Sequence, residues 1–145
     1  MDPRAFNQVA IDIVVKRPLT GPAAYRSAIS RAYFATLNVA ADILTSIGHS
    51  PGKGDSKHKR VVLYLQQSAD PELNSVGRTI DTIRTMRNLA DYDMLNTTVE
   101  TLSEARDRAE SAREVIEHLD DFAADAARMK SAADAIAKYR TATRT

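Results

Sequence analysis

The segment from Pro22 to Gly48 constrains the fold most, because it is apolar on most of its faces. Its apolar side chains recur at helical spacing on two sides, with Tyr25, Ala28, Ile29, Ala32, Thr36, Val39 and Ile43 on one and Phe34, Leu37, Ala41 and Leu44 on the other. A helix of this kind lies at the centre of a bundle and is covered by other helices. With only five Gly, five Pro and eight aromatic residues, the chain lacks the frequent turns of a β-sandwich or barrel. We therefore predict an all-α fold.

Start and stop signals predict the other helices. Asp2 and Pro3 open a first helix, which breaks between Pro18 and Pro22. Further helices are expected over about 56–67, from Asp70-Pro71 to about 92–96, and from a capping box at 97–100 to the chain end. The last one is long for a globular helix, so it should break near 120–125 or project as a tail. The sequence thus predicts about five helices with a long C-terminal one.

Length and charge limit the function. A chain of 145 residues is one domain, and 20 Lys and Arg against 19 Asp and Glu give a formal charge of +1. Such a balance provides no global basic field, so any nucleic-acid binding must come from a local patch. The absence of cysteine and of an apolar run long enough to span a bilayer leads us to expect a soluble cytoplasmic protein without membrane contact.

A cationic cluster surrounds the start of the predicted third helix. It comprises Lys53, Lys57, His58, Lys59 and Arg60. Unpaired backbone N–H groups and the helix dipole at such a place favour phosphate binding. The alternative is a solvated surface loop, and the cluster alone does not exclude it.

A polar face interrupts the apolar fourth helix near its end. Arg84, Arg87 and Asp91 share this face, and Arg87 and Asp91 have the spacing of an intrahelical ion pair. The face either holds a guanidinium toward a ligand or partner chain, or it is an ordinary surface pair. Common catalytic signatures, such as a Gly-rich phosphate loop, are absent from the sequence, so generic motifs leave the function open.

Three segments together resemble a known family. They are AISRAYFA at 28–35, SKHKRV at 56–61, and Arg87-x-x-Ala-Asp-Tyr-Asp at 87–93. In order and spacing they resemble the HEPN superfamily (higher eukaryotes and prokaryotes nucleotide-binding), in the branch with Ser-Arg-Ala-Tyr-Tyr-Ala and Arg-x-x-Ala-Asp-Tyr motifs. The resemblance covers about 20–125 and makes 126–145 a helical C-terminal extension of the single domain.

The resemblance implies an antiparallel helical bundle that dimerises through the end of its fourth helix. In many members an Arg, a polar residue and a His near this end form a metal-independent RNase site without a cofactor. Arg87 and Asn88 match the first two positions, whereas Tyr92 occupies the place of the His. A phenol with a pKa near 10 is a poor general base at neutral pH, so Tyr92 would donate a proton or orient a phosphate. Asp91 would position Arg87.

Two functions follow from this reading. The first is RNA or nucleotide binding in a toxin–antitoxin or phage-defence setting, with cleavage by Arg87, Asn88, Asp91 and Tyr92 and with RNA contacts from Lys53, Lys57, His58, Lys59, Arg60 and Arg84. The partner would be a nucleotidyltransferase antitoxin or a defence effector. The second is a non-catalytic interaction module, in which the Arg87 motif only contacts a partner chain.

Overall fold

A computed structural model describes residues 1–16 and 19–144. These residues form six α-helices: α1 Arg4–Val15, α2 Pro22–Ser46, α3 Lys57–Gln66, α4 Pro71–Tyr92, α5 Leu102–Ala123 and α6 Ala126–Ala142. A 3₁₀ turn, Thr98–Glu100, precedes α5, and the described part of the chain contains no strand. The all-α prediction is confirmed. The expected number of about five helices is corrected to six, because the long C-terminal helix is two helices.

Helix α2 is the centre of the bundle, as its apolar faces predict. It packs against α1, α4 and α5, and it contributes to both hydrophobic clusters of the core. Ala28, Ile29, Ala32 and Ala35 are fully inaccessible to solvent. The three alanines let the neighbouring helices approach closely, and Ile29 fills the space between them.

The predicted helix boundaries around α2 and α4 are confirmed at three points. Pro22 opens α2, and Gly48 follows its end with a φ of +91°, a conformation that a glycine adopts without a side-chain clash. The Asp70 carboxylate accepts hydrogen bonds from the first free backbone N–H groups of α4, at 3.0 and 3.1 Å. Pro18, the other end of the predicted break, lies outside the described residues.

The predicted capping box at 97–100 is wrong. Thr101 caps α5 instead, since its hydroxyl accepts a hydrogen bond of 3.1 Å from the backbone N–H of Glu104. Glu100 is not free to act as a capping residue, because its carboxylate accepts hydrogen bonds from Arg26 on α2. A tertiary contact therefore overrides the local capping pattern.

The C-terminal region breaks where the sequence predicts. Helix α5 ends at Ala123, and the side chain of Asp125 caps α6 by accepting from the backbone N–H of Arg128. Helix α6 does not project, because Ala132 and Ile136 are buried in the core. None of the helices described here combines the length and the apolar character needed to cross a membrane.

Candidate phosphate-binding cleft

A cleft of about 400 Å³ lies where the middle of α2, the start of α3 and the end of α4 meet. It is lined by Tyr33, Phe34, Leu37, Gly54, Asp55, Lys57, His58, Arg84, Arg87, Asn88 and Tyr92. The apolar packing of α2 against α4 brings together residues that lie far apart in sequence. The cationic cluster and the polar end of α4 therefore meet at one site.

Arg87 is held in place from three directions. Its Nε lies 2.7 Å from a carboxylate oxygen of Asp91, one helical turn later. The Nε–H does not point along this line, so the contact is an ion pair rather than an aligned hydrogen bond. The guanidinium carbon lies 5.2 Å from the ring centre of Tyr33 and 5.3 Å from that of Tyr92. Rings at this distance attract the cation and restrict its motion.

Asp91 couples α4 to α2. Its second partner is the Ser30 hydroxyl, which donates a 3.1 Å hydrogen bond to the carboxylate. Asp91 therefore lies behind Arg87 and does not line the cleft. This placement agrees with the expectation that Asp91 positions the guanidinium.

A chain of three polar side chains forms one wall. The Tyr33 hydroxyl lies 3.0 Å from Nδ1 of His58, and Nε2 of His58 lies 3.0 Å from a carboxylate oxygen of Asp81. Burial lowers the pKa of His58 below its usual value, and Arg84 acts in the same direction, while the hydrogen bond with Asp81 opposes them. At neutral pH the imidazole is therefore uncharged, with Nε2–H donating to Asp81 and Nδ1 accepting from Tyr33. Burial also raises the pKa of the Tyr33 phenol, so the hydroxyl stays protonated.

Two further cations reach the cleft. Nζ of Lys57 donates a 2.7 Å hydrogen bond to the Asn38 side chain, a neutral partner. Among the residues described, no carboxylate lies within 4.0 Å of the charged nitrogens of Lys57 or Arg84. Asp55 is the carboxylate in the lining. The cleft therefore carries more positive than negative charge.

The structure divides the residues that the sequence singled out. Lys57, His58, Arg84, Arg87, Asn88 and Tyr92 line the cleft, whereas Lys53, Lys59 and Arg60 do not. Successive residues of a helix point about 100° apart, so α3 cannot present the four successive side chains from Lys57 to Arg60 to one side. Lys59 instead lines a neighbouring groove between α3 and α4, together with Arg84. Arg60 lines a cleft between α3 and α6.

Sequence reasoning missed two parts of the site. Tyr33 and Asp81 were given no role, although together they engage both nitrogens of His58. Tyr33 belongs to the segment that carries the family resemblance, and this was the available signal. Asp81 is one exposed acid of α4, and nothing in the sequence connects it with His58.

Arg26 was also missed, and it determines where α4 ends. Its guanidinium donates hydrogen bonds to four backbone carbonyl groups and to the carboxylate of Glu100. The four carbonyls belong to Leu89, Ala90, Asp93 and Asn96. A charged residue within an apolar helix was the signal for this buried contact.

A second groove of similar volume lies between α4 and α5. Its lining includes Glu72, Glu114 and His118, and Nδ1 of His118 lies 3.3 Å from the Glu72 carboxylate. Two carboxylates repel a phosphate, so this groove is the poorer candidate for an anionic ligand. In the described part of the chain, no group of three or more His, Cys, Asp or Glu residues is placed to hold a metal ion.

Comparison of the chain with protein-family models, with curated proteins and with solved structures finds no match.

Proposed function

We propose that this protein is a HEPN-type domain that binds RNA in the Arg87 cleft. The observation that carries the proposal is the state of Arg87: it is fixed by Asp91 and two tyrosine rings, yet most of its donors are unused. Its one hydrogen bond goes to the Asn88 side chain at 3.3 Å. A preorganised guanidinium with free N–H groups is suited to bind a phosphate through two parallel hydrogen bonds.

The surroundings of Arg87 favour RNA over a small anion. Lys57 and Arg84 supply further positive charge along the cleft, and Tyr92 stands at its edge with 72% of its surface exposed. An exposed aromatic ring beside cations is the usual arrangement for stacking an unpaired base next to a bound backbone. This combination supports a single-stranded RNA ligand.

RNA cleavage is the second candidate function, and the Tyr33–His58–Asp81 chain supports it. In a metal-independent step the ribose 2′-oxygen would attack the adjacent phosphorus, the bond from phosphorus to the 5′-oxygen would break, and a 2′,3′-cyclic phosphate would form. The 2′-hydroxyl proton would pass to the Tyr33 oxygen while the Tyr33 proton passes to Nδ1 of His58; the reverse transfer would protonate the leaving 5′-oxygen. Arg87 would stabilise the charge on the phosphorane.

We also propose that two copies pair through the end of α4. Four large apolar side chains beside the cleft are exposed: Phe34, Tyr92, Met94 and Leu95. A contact of one copy with itself through a two-fold axis would cover this patch and bring two Arg87 side chains together. Light scattering at micromolar concentration should give the mass of a dimer, and a monomer would refute the pairing.

The proposed setting is a toxin–antitoxin or phage-defence system. Transfer of AMP to Tyr92 by a nucleotidyltransferase partner would place a phosphate beside Arg87 and fill the cleft, which would block RNA. The exposed phenol of Tyr92 supports this mode of control. Incubation of the protein with its genetic partner and ATP, followed by mass spectrometry, should locate the adduct on Tyr92; an adduct elsewhere would contradict the proposal.

The experiment that tests the function is incubation of the purified protein with total RNA in EDTA. The wild type should retain RNA in a filter-binding assay. If it also cleaves RNA, it should release fragments that end in a 2′,3′-cyclic phosphate. Arg87→Ala should lose both properties. Arg78→Ala is the matched control, because Arg78 lies nine residues earlier in α4, on the opposite face, and is exposed.

Three outcomes separate the candidates. Retention with cleavage supports an RNase, and retention without cleavage supports an RNA-binding module. No retention by the wild type, together with a stable dimer, would leave the non-catalytic interaction module as the better description.

A further inference from the structure

A second basic cleft, of about 260 Å³, lies between α3 and α6. It is lined by Arg60, Leu63, Tyr64, Tyr139, Arg140, Thr143 and Arg144. Three arginines and two tyrosines line it without any acidic residue. We propose that this cleft, termed here the α3–α6 cleft, is a second contact site for the RNA strand that occupies the Arg87 cleft; the inference rests on the proposed RNA binding.

Arg60 is held by neutral groups. One terminal nitrogen of its guanidinium lies 3.4 Å from the carbonyl oxygen of Pro51, and it fits into space that a side chain at Gly52 would take. A Cβ at Gly52 would lie 3.1 Å from this nitrogen, and the φ of +76° there is also one that other residues rarely adopt. The absence of a side chain at Gly52 therefore leaves room for the Arg60 guanidinium beside the loop before α3.

Arg140 is held by neutral groups as well. One terminal nitrogen lies 3.0 Å from Nδ1 of His49, and the guanidinium carbon lies 5.4 Å from the ring centre of Tyr64. Nε2 of the buried His49 lies 2.9 Å from the carbonyl oxygen of Ala133, to which it must donate. Nδ1 is then the unprotonated nitrogen, so it accepts from Arg140 and leaves the charge of the arginine uncompensated.

The two arginines therefore form a pair of positive charges whose partners are neutral groups. Within the described residues, no carboxylate lies within 4.0 Å of the guanidinium nitrogens of Arg60 or Arg140. Six other arginines among the described residues do have such a partner, as Arg113 has Glu110 and Arg128 has Asp70. Neighbouring guanidinium groups without a carboxylate suit an anionic ligand with several negative charges.

The position of this pair points to an RNA strand rather than to an isolated anion. Helix α3 contributes to both clefts: Lys57 and His58 at its start line the Arg87 cleft, and Arg60 and Tyr64, further along the helix, line the α3–α6 cleft. A helix is about 10–12 Å across, so a strand needs only a few nucleotides to pass from one cleft to the other. Tyr139 supplies an aromatic ring beside the arginines, as in other basic grooves that bind single strands.

The test is a fluorescence titration with two labelled oligouridines, one of about 5 nucleotides and one of about 15. The variants are Arg60→Gln, Arg140→Gln and the double substitution. Lys138→Gln is the control, because it removes the same charge from an exposed position of α6 outside the α3–α6 cleft. Thermal unfolding of each variant shows whether α6 stays docked.

We expect the double variant to bind the longer RNA about tenfold more weakly at low salt. Its slope of log affinity against log salt should fall by about 1.4, since each phosphate contact on a single strand contributes about 0.7. The shorter RNA, bound mainly in the Arg87 cleft, should change less than about twofold, and Lys138→Gln should change neither. If Arg140→Gln loosens α6, Arg60→Gln alone should still weaken the longer RNA by about threefold.

Unchanged affinity and salt slope for the longer RNA would overturn the inference, and so would an equal loss for both lengths. The failure of the proposed function looks different. If Arg87→Ala weakens both oligonucleotides and the double variant weakens neither, only the α3–α6 cleft is refuted. If the wild type binds neither oligonucleotide, both proposals fail.

Discussion

Two arginines contact the last turns of α4, and they are used in opposite ways. Arg26 reaches there from α2; it donates to four carbonyls and to Glu100, and its side chain is 10% exposed. Arg87 belongs to α4 itself; it has one ion pair and one long hydrogen bond, and its side chain is 29% exposed. The same functional group is saturated by protein at one position and largely unsatisfied at the other.

The difference separates a structural arginine from one that is available for a ligand. Free carbonyls at a helix end need donors, and the Arg26 guanidinium provides several at once. Its N–H groups are therefore occupied by hydrogen bonds within the fold. Arg87 is positioned by rings and by one carboxylate, which fix its direction without using most of its donors. A ligand can therefore add hydrogen bonds at Arg87 but not at Arg26.

The largest expected effect is that of Arg26→Met on stability. The substitution removes the donors to the Glu100 carboxylate and to the carbonyls of Ala90 and Asn96, so the free energy of unfolding should fall by about 3–5 kcal/mol. Arg87→Met is the matched variant, and it should cost no more than about 1 kcal/mol, since it removes a partly exposed ion pair. Urea unfolding followed by circular dichroism measures both. Equal losses in the two variants would remove the distinction between the arginines.

The next effect compares the two tyrosines that flank Arg87. Tyr33→Phe removes the hydroxyl that donates to Nδ1 of the buried His58 and should cost about 1–3 kcal/mol. Tyr92→Phe removes an exposed hydroxyl and should change stability by less than about 0.5 kcal/mol. Thermal unfolding of the two variants checks this order. A larger loss for Tyr92→Phe would show that the two rings are assigned the wrong roles.

A pH dependence should arise from His58. Its pKa is lowered in the folded state, so between that value and the unfolded value near 6.5 the unfolded chain binds more protons. The contribution of the neutral His58 to the free energy of unfolding is fully present above pH 6.5 and decreases as the pH falls below this value. Asp70, whose pKa is lowered by Arg128, stays ionised in this window and does not contribute to the change. The midpoint of thermal unfolding should therefore decrease less for His58→Gln than for the wild type between pH 7.5 and 5.5. Parallel decreases would contradict a neutral buried His58.

The smallest effect concerns Tyr92 in RNA binding. Tyr92→Ala removes one ring from Arg87 and should weaken binding by about threefold, whereas Tyr92→Phe should bind like the wild type. Cleavage, if present, should also survive in Tyr92→Phe, because the proposed proton transfer uses Tyr33 and His58. Higher cleavage by Tyr92→His would instead place the acid–base chemistry at position 92.

Local signals predict the fold well, and tertiary contacts explain the misses. Periodicity, Pro22, Asp70-Pro71 and Gly48 locate α2 and α4, because each acts through its own neighbours in the chain. The capping box at 97–100 fails because Glu100 pairs with Arg26, 74 residues away. No window of sequence contains both partners, so a local pattern cannot reveal the contact.

The candidate site shows the same contrast between local signals and tertiary contacts. The Arg87–Asp91 pair follows from helical spacing alone, and the structure contains it. The meeting of α3 with the end of α4 depends on tertiary packing, which local patterns do not reveal. Tyr33 lies in a segment that carries the family resemblance, but the sequence gives it no role. Periodicity places Lys57 and Arg60, three residues apart, on the same face of α3. That the two residues line different clefts depends on how the neighbouring helices pack around α3.

The most direct measurement is RNA affinity and thermal stability determined on the same preparation of Arg87→Ala. We expect binding at least about tenfold weaker than that of the wild type, since charge-assisted hydrogen bonds to phosphate are lost, and an unfolding midpoint lowered by no more than about 4 °C. Arg78→Ala, the control in α4, should match the wild type in both. Wild-type affinity in Arg87→Ala, or a loss of affinity that comes only with unfolding, would contradict the assignment of Arg87 as the ligand-binding arginine.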